Sequence, residues 1–258
     1  MSALPPNVQH SEYSIKSGIA LQYLDTVFTS PAHQLAADEA LLLQREREGG
    51  EPVLRFWEPA APFVVLGNSD DPGRNVNIEE CRKRRIPVFR RSSGGGTVVQ
   101  GPGCLNISLI LRTAGDPVLA TAGDSNTFIM NRHASALRPL VEGEIAVQGF
   151  SDLTLGQRKF SGNAQRRLQH YFLFHGCFLL AMQLSLIEEL LLPPPKQPTY
   201  RQQRSHRDFL CNLPAPVATV RAALQSAWNA HHRTTVDPGD DIERLVREKY
   251  LNPAWTFK

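Results

Sequence analysis

The sequence lacks most of the features that commit a chain early to one chemistry. Among its 258 residues stand only four cysteines, Cys81, Cys104, Cys177 and Cys211, with no CxxC pair and no His/Cys spacing suited to a metal. That argues against a disulfide framework or a structural zinc site, and predicts reduced thiols in a cytoplasmic protein. The longest apolar stretch, around Tyr171 to Leu192, is broken by His175, Gly176, Gln183 and two glutamates, so it is too polar to span a bilayer. The first residues hold no apolar run of signal length. Charge of one sign is missing as well. A formal net charge of +3 is too small to argue for a nucleic-acid partner. Neither GxxxxGK[ST] nor GxGxxG occurs, which excludes the P-loop and dinucleotide-fold readings.

What is present is a folded enzyme-sized chain. With 41% apolar and 21% charged residues it reads as globular. Helices are predicted over Ser30 to Glu46, Asn77 to Arg85, Pro117 to Leu140, Leu184 to Leu192, Val217 to Ala230 and Asp240 to Tyr250. Strands are predicted over Val53 to Trp57, Phe63 to Leu66, Ile86 to Phe89, Leu105 to Leu111 and Tyr171 to Leu180, with a strand–turn–strand over Glu144 to Gly162. This irregular order predicts an α+β (mixed α/β) fold and not a repeating βαβ array. The expected organisation is a tail over 1–25 and one domain over 26–258. Basic residues cluster at Arg82–Arg85 with Arg90 and Arg91, at Arg158, Lys159, Arg166 and Arg167, and at Arg201, Arg204, His206 and Arg207. These clusters form either a solvated face or a basic mouth for an anion.

Two segments carry the chemistry. In Ser92-Ser93-Gly94-Gly95-Gly96-Thr97, three consecutive glycines permit positive φ and let backbone amides converge on an anion. The bland alternative is a hairpin turn. Arg91 beside the loop adds a guanidinium that can share one phosphate or carboxylate with those amides. In SDLTLGQRKFSGNAQRR, Lys159 lies on the returning strand of an apparent hairpin and precedes the small residues Ser161, Gly162, Asn163 and Ala164. It is either one more solvated lysine or a fixed positive charge placed where negative charge develops.

RRSSGGGTVVQGPGCLN resembles the RRxSGGGxVxxxxGxLN signature of lipoate–protein ligases, and DLTLGQRKFSGNAQRR followed by LFHG resembles that family's lysine motif. The likeness runs over about residues 30 to 215. It implies a central mixed β-sheet flanked by helices, the catalytic-domain fold shared with biotin protein ligases and octanoyltransferases. It implies ATP, Mg2+ and lipoate or octanoate, an acyl-adenylate, and transfer of the acyl group to a lysine of a lipoyl-domain or glycine-cleavage H-type carrier protein. Neither nucleic acid nor membrane is an expected partner. Carried over by motif, Lys159 is the catalytic residue. Arg91, Gly94, Gly95, Gly96, Thr97, Val98, Val99, Ser161, Gly162, Asn163 and Ala164 line the adenylate pocket with it. His175 and Gly176 sit on an adjoining strand, and no metal-ligating residue is implied.

Two alternatives stay open. Transferases of this fold pass a preformed acyl group through a cysteine thioester; AVQGFSDL has no cysteine where one group carries it, while Cys211 falls near the position used by another. Cys177 and Cys104 read as small buried residues. The stretch after Leu213 suffices for two helices but not for the accessory domain many ligases carry, so a separate accessory subunit is expected if the chain uses ATP. The second alternative is a family member that binds lipoate or a carrier without catalysis.

Overall fold

The computed structural model describes residues 21–258, apart from 25, 27, 29, 114 and 235. The expected tail over 1–25 falls outside the described residues except at its end, where Gln22–Leu24 forms a strand instead. The strands are β1 (Gln22–Leu24), β2 (Val53–Trp57), β3 (Phe63–Leu66), β4 (Val88–Arg90), β5 (Val98–Gln100), β6 (Cys104–Arg112), β7 (Ile145–Gln148), β8 (Asp152–Leu155), β9 (Arg158–Arg167), β10 (Tyr171–Leu179) and β11 (His232–Arg233). Eight make one mixed sheet in the order β11-β1-β2-β6-β10-β9-β8-β7, and three make a second in the order β4-β3-β5. This is the expected mixed sheet flanked by helices.

Alternation of side chains divides the large sheet into two faces. On one, Leu54 and Phe56 of β2, Leu105 and Leu109 of β6, and Phe172, Phe174 and Phe178 of β10 pack with Ile129, Met130 and Leu137 of the helix Ala122–Leu137 and with Val220 and Leu224 of the helix Val217–Ala227. The other face is part apolar and part polar. The helix Pro31–Glu48 covers one end of it with Leu41 and Leu42, and Val64, Leu66 and Val99 of the small sheet pack with Cys104 of β6 and with Cys177 and Leu179 of β10. Because both faces are covered, β2 is buried at every residue, polar Arg55 included.

Several boundaries differ from the sequence reading for local reasons. Pro117 to Leu140 is not one helix: 3-10 turns at Pro117–Leu119 and Arg138–Leu140 bracket the helix Ala122–Leu137, whose N-cap is Thr121. Glu144 to Gly162 holds β7, β8 and the start of β9, because Gly149 and Gly156 both adopt left-handed φ, +58° and +57°, and turn the chain twice. Ile86 to Phe89 is replaced by β4, which joins the second sheet.

Candidate active site

The glycine loop connects β4 to β5, yet those strands do not pair with each other. Each pairs with β3, one parallel and one antiparallel. The loop therefore crosses the end of β3 and is not a hairpin turn. Its shape is held by Arg91. The guanidinium donates from Nη2 to the carbonyls of Gly94 at 2.6 Å and Gly96 at 2.9 Å, and from Nε to Ser93 Oγ at 3.0 Å. Burial pulls the Arg91 guanidinium down to about 10, against the opposing pull of Asp70, so it keeps its charge at neutral pH. Its main partners are thus the loop's own carbonyls. Gly95, at φ +83°, leaves room for both motifs to meet: a Cβ there would lie 3.0 Å from Arg91 Nη2 and 3.4 Å from Ala164 Cβ. Below it, a Cβ on Gly67 would fall 1.9 Å from the Gly95 carbonyl oxygen, and Thr97 Oγ1 donates to Asp70 Oδ2 at 2.7 Å.

A bulge aims the lysine. From Asp152↔Gly162 and Leu153↔Ser161 the register slips to Thr154↔Lys159, leaving Phe160 as an extra residue on β9. Cross-strand partners share a face, so the slip turns Lys159 onto the side of Asp152 and Gly162. Lys159 Nζ then lies 2.7 Å from Asp152 Oδ1. Its stem folds over the bare α-carbon of Gly162, where a Cβ would stand 2.8 Å from Nζ and 2.9 Å from Cε.

Beneath both motifs runs a buried polar row. Arg55 Nη1 donates to Asp38 Oδ1 at 2.6 Å, Ser108 Oγ donates to the same oxygen at 2.8 Å, and His175 Nδ1 is 3.1 Å from Asp38 Oδ2. The other imidazole nitrogen, Nε2, is 2.6 Å from Ser93 Oγ. Burial would raise the Asp38 carboxyl, but Arg55, His175 and Ser108 outweigh it and hold it below the usual carboxylate range. A continuous chain therefore links the Arg55–Asp38 ion pair to His175, Ser93 and Arg91. Ser93 is 1% exposed, so it supports the loop and offers no reachable nucleophile.

These elements enclose a cavity of about 860 Å³, within the range of small-molecule sites. One region is apolar, where Leu35, Trp57, Val65 and Val98 belong to a single cluster. Lys159, Asp152, Asn163 and Asp70 also line the cavity. Asn163 Oδ1 is buried with no hydrogen-bond partner in the protein. Of the residues expected from sequence, Arg91, Gly94, Gly95, Gly96, Thr97, Val98, Lys159, Gly162, Asn163 and Ala164 line this cavity. Val99 and Ser161 do not: strand alternation turns Val99 into the apolar cluster beneath the small sheet and buries Ser161, whose Oγ accepts from Asn163 Nδ2 at 3.2 Å.

Cys211 is also placed away from the cavity. It packs in the main core, its thiol donates to the Arg158 carbonyl at 3.4 Å, and burial pushes it up. Cys177, buried as expected, nonetheless lines the cavity beside His175. The basic clusters separate too. Arg90 is spent on the carbonyls of Gly67, Asp70 and Thr256, and Arg167 on those of Leu119 and Ala120, while Arg91, Lys159, Arg201 and His206 reach the cavity. Sequence reasoning missed Asp38 and Asp70, and the link from Ser93 to His175. For Asp38 the signal was a pair of acidic residues, Asp38 and Glu39, set within an apolar stretch between Ala37 and Ala40. No described helix is long and apolar enough to cross a membrane.

Comparison with known proteins shows that residues 30–230 match the model of the lipoyl protein ligase A/B catalytic domain. The chain belongs to this family. A lipoate–protein ligase A homologue assigned by name in Aeropyrum pernix is 32% identical over 80% of the chain and 74% of its own length. The octanoyltransferase LipM of Carboxydothermus hydrogenoformans is 29% identical over 92% of the chain and 98% of its own length. Among solved structures, the bipartite lipoate protein ligase of Thermoplasma acidophilum, studied with its E2 lipoyl domain, superposes with TM-score 0.78 at 22% identity, covering 92% of this chain and 96% of that one. A T. acidophilum lipoate protein ligase structure with lipoic acid bound gives 0.75 at 21% identity, covering 93% and 100%. A lipoate–protein ligase A with ATP bound gives 0.73 at 22%, covering 92% and 98%. These likenesses show that the lipoyl-ligase family's catalytic-domain fold is the fold of this chain.

Proposed function

We propose that the protein activates lipoate or octanoate with ATP and transfers the acyl group to a lysine of a carrier domain. The observation that carries this reading is one cavity lined both by the apolar side chains Leu35, Trp57, Val65 and Val98 and by Lys159. The acyl tail occupies the apolar region and its carboxylate meets Lys159. A carboxylate oxygen attacks the α-phosphorus of ATP, pyrophosphate leaves, and a mixed anhydride with AMP results. Two anions repel each other, and Lys159 offsets that repulsion while stabilising the charge that develops. The glycine loop, fixed by Arg91, lets the nucleotide phosphates approach the backbone closely. In the second step the carrier lysine amine attacks the acyl carbonyl and AMP departs. The protein's part there is to exclude water and align the two reactants.

Mg2+ is proposed to enter with the nucleotide and to neutralise phosphate charge; phosphate oxygens and one or two carboxylates commonly suffice to hold it, and the Asp70 carboxylate lines the cavity. The likeness to a ligase studied with an E2 lipoyl domain supports a lipoyl-type domain or an H-type carrier as acceptor, and that ligase's bipartite nature supports a separate accessory subunit. The test is to incubate the protein with octanoate or lipoate, ATP and hydroxylamine. Acyl-hydroxamate with stoichiometric pyrophosphate is expected; none from either acid would contradict the reading.

The likeness to octanoyltransferase LipM across nearly the full length of both chains favours one second reading, transfer from an acyl thioester without ATP. In that reading the thiol facing the cavity is Cys177, not Cys211. Acylation of a carrier from octanoyl-acyl carrier protein in the absence of ATP would favour it.

A further inference from the structure

Lys159 is not loose in the cavity. Asp152 holds its ammonium through Oδ1 at 2.7 Å, and the Tyr200 hydroxyl donates to the other carboxylate oxygen, Oδ2, at 2.6 Å. Tyr200 comes from the Pro- and Arg-rich connection that forms one wall of the cavity with Pro194, Pro198 and Phe209. Its ring packs on Phe209, with centroids 5.2 Å apart, and lies against Gly149, where a Cβ would stand 3.3 Å from the ring. The connection is fastened to the lysine hairpin by backbone acceptors. Arg204 Nη1 donates to the Gln157 carbonyl at 2.9 Å, Arg158 Nε to the Leu210 carbonyl at 3.0 Å, and the Cys211 amide to the Lys159 carbonyl at 2.9 Å. The tyrosine is thus fixed relative to the lysine's own backbone.

We infer that Tyr200 is a positioning residue that acts through Asp152 to set the direction of the Lys159 ammonium. A free carboxylate can rotate and present either oxygen, or both, to an ammonium. With Oδ2 engaged by the phenol, only Oδ1 faces Lys159. The ammonium is ion-paired to that one oxygen and keeps N–H bonds for an anion in the cavity. The grip is then single-point, tight enough to orient the amine and open enough for an anionic intermediate to share it. Burial, with the Asp152 charge beside it, pushes the phenol well above its usual range, so Tyr200 stays a donor. The inference rests on the proposed role of Lys159 for its kinetic readout only.

The test uses Tyr200→Phe, Asp152→Asn and the double variant, each checked by its melting profile. Hydroxamate formation from octanoate and ATP gives kcat and KM. In parallel, the rate at which trace acetic anhydride labels Lys159 is read by peptide mass spectrometry. Tyr200→Phe, which keeps the ring and its packing, is expected to lower kcat about tenfold, the equivalent of one hydrogen bond, with KM values within about twofold. The double variant is expected to fall no further than Asp152→Asn alone, because a residue acting through another gives non-additive losses. Labelling of Lys159, and of no other lysine, changes about threefold or more in both single variants. Wild-type kcat and labelling in Tyr200→Phe would overturn the inference, as would losses that multiply in the double variant. If the wild type makes no hydroxamate, the ligase reading fails while the labelling comparison still decides the positioning.

Discussion

Replacing Gly162 with alanine perturbs the site by a single methyl group. The new Cβ would stand 2.8 Å from Lys159 Nζ and 2.9 Å from its Cε, with Asp152 Oδ1 next at 3.7 Å. Non-bonded atoms at rest keep about 3.5–4.0 Å, so the lysine tip must retreat by about 0.5–1 Å, beyond the tolerance of about 0.5 Å for a catalytic group. Nothing else needs to move, because the nearest atoms are the end of a flexible side chain. Gly162 lies in β9 without a left-handed φ, so the backbone accepts alanine. The expected result is a fall in kcat for acyl-hydroxamate formation of about a hundredfold, the order associated with a 1 Å misplacement, at an unchanged melting temperature. Gly176→Ala is the contrast. Its Cβ would meet Asn163 Oδ1 at 1.9 Å and the Gly162 carbonyl at 2.6 Å, so it should cost stability as well as activity. Steady-state kinetics with calorimetry on both variants separates the cases. A Gly162→Ala enzyme with wild-type turnover would refute the placement of Lys159 over that glycine.

Asp38→Ala removes the carboxylate partner of fully buried Arg55. Leaving that charge uncompensated should destabilise the fold by about 3–5 kcal/mol in urea unfolding. His133 gives a pH signature. Burial, with Arg132 beside it, depresses its folded pKa to about 3, against about 6.5 in an unfolded chain. Protons then bind the unfolded state first, so this contribution is complete above about pH 6.5 and drains as the pH falls toward 3, by up to about 1.4 kcal/mol per pH unit. In His133→Gln, which keeps an acceptor for Trp228 Nε1, the dependence of unfolding free energy on pH between 4 and 6.5 should be shallower than in the wild type by that amount; equal slopes would count against it.

What could be read from sequence was what depends on neighbours along the chain. The glycine triplet, and Lys159 with the small residues after it, are two local strings, and both line one cavity. The strands β2, β3, β6 and β10 were visible because apolar runs mark them. The slip that turns Lys159 toward Asp152 was not visible, since a bulge depends on how β8 and β9 pair and no single residue of the motif marks it. The Asp38–His175–Ser93 chain joins residues from a helix, a strand and a loop far apart in sequence, so no local pattern announces it. Arginine runs misled for a related reason. Arg90 and Arg167 are satisfied by backbone carbonyls whose positions depend on the finished fold. Cys211 falls near a position where some transferases of this fold carry a cysteine, yet its thiol bonds to the Arg158 carbonyl and packs in the core.

In the proposed function, adenylate formation depends on the Lys159 ammonium, held over Gly162 beside Asp152. The most direct measurement is ATP- and octanoate-dependent pyrophosphate release by the wild type and by Lys159→Ala, with folding verified by circular dichroism. Release is expected in the wild type, with a loss of about 10²–10³-fold in the folded variant, the order for removing one group that stabilises developing charge. Wild-type release by folded Lys159→Ala would contradict it.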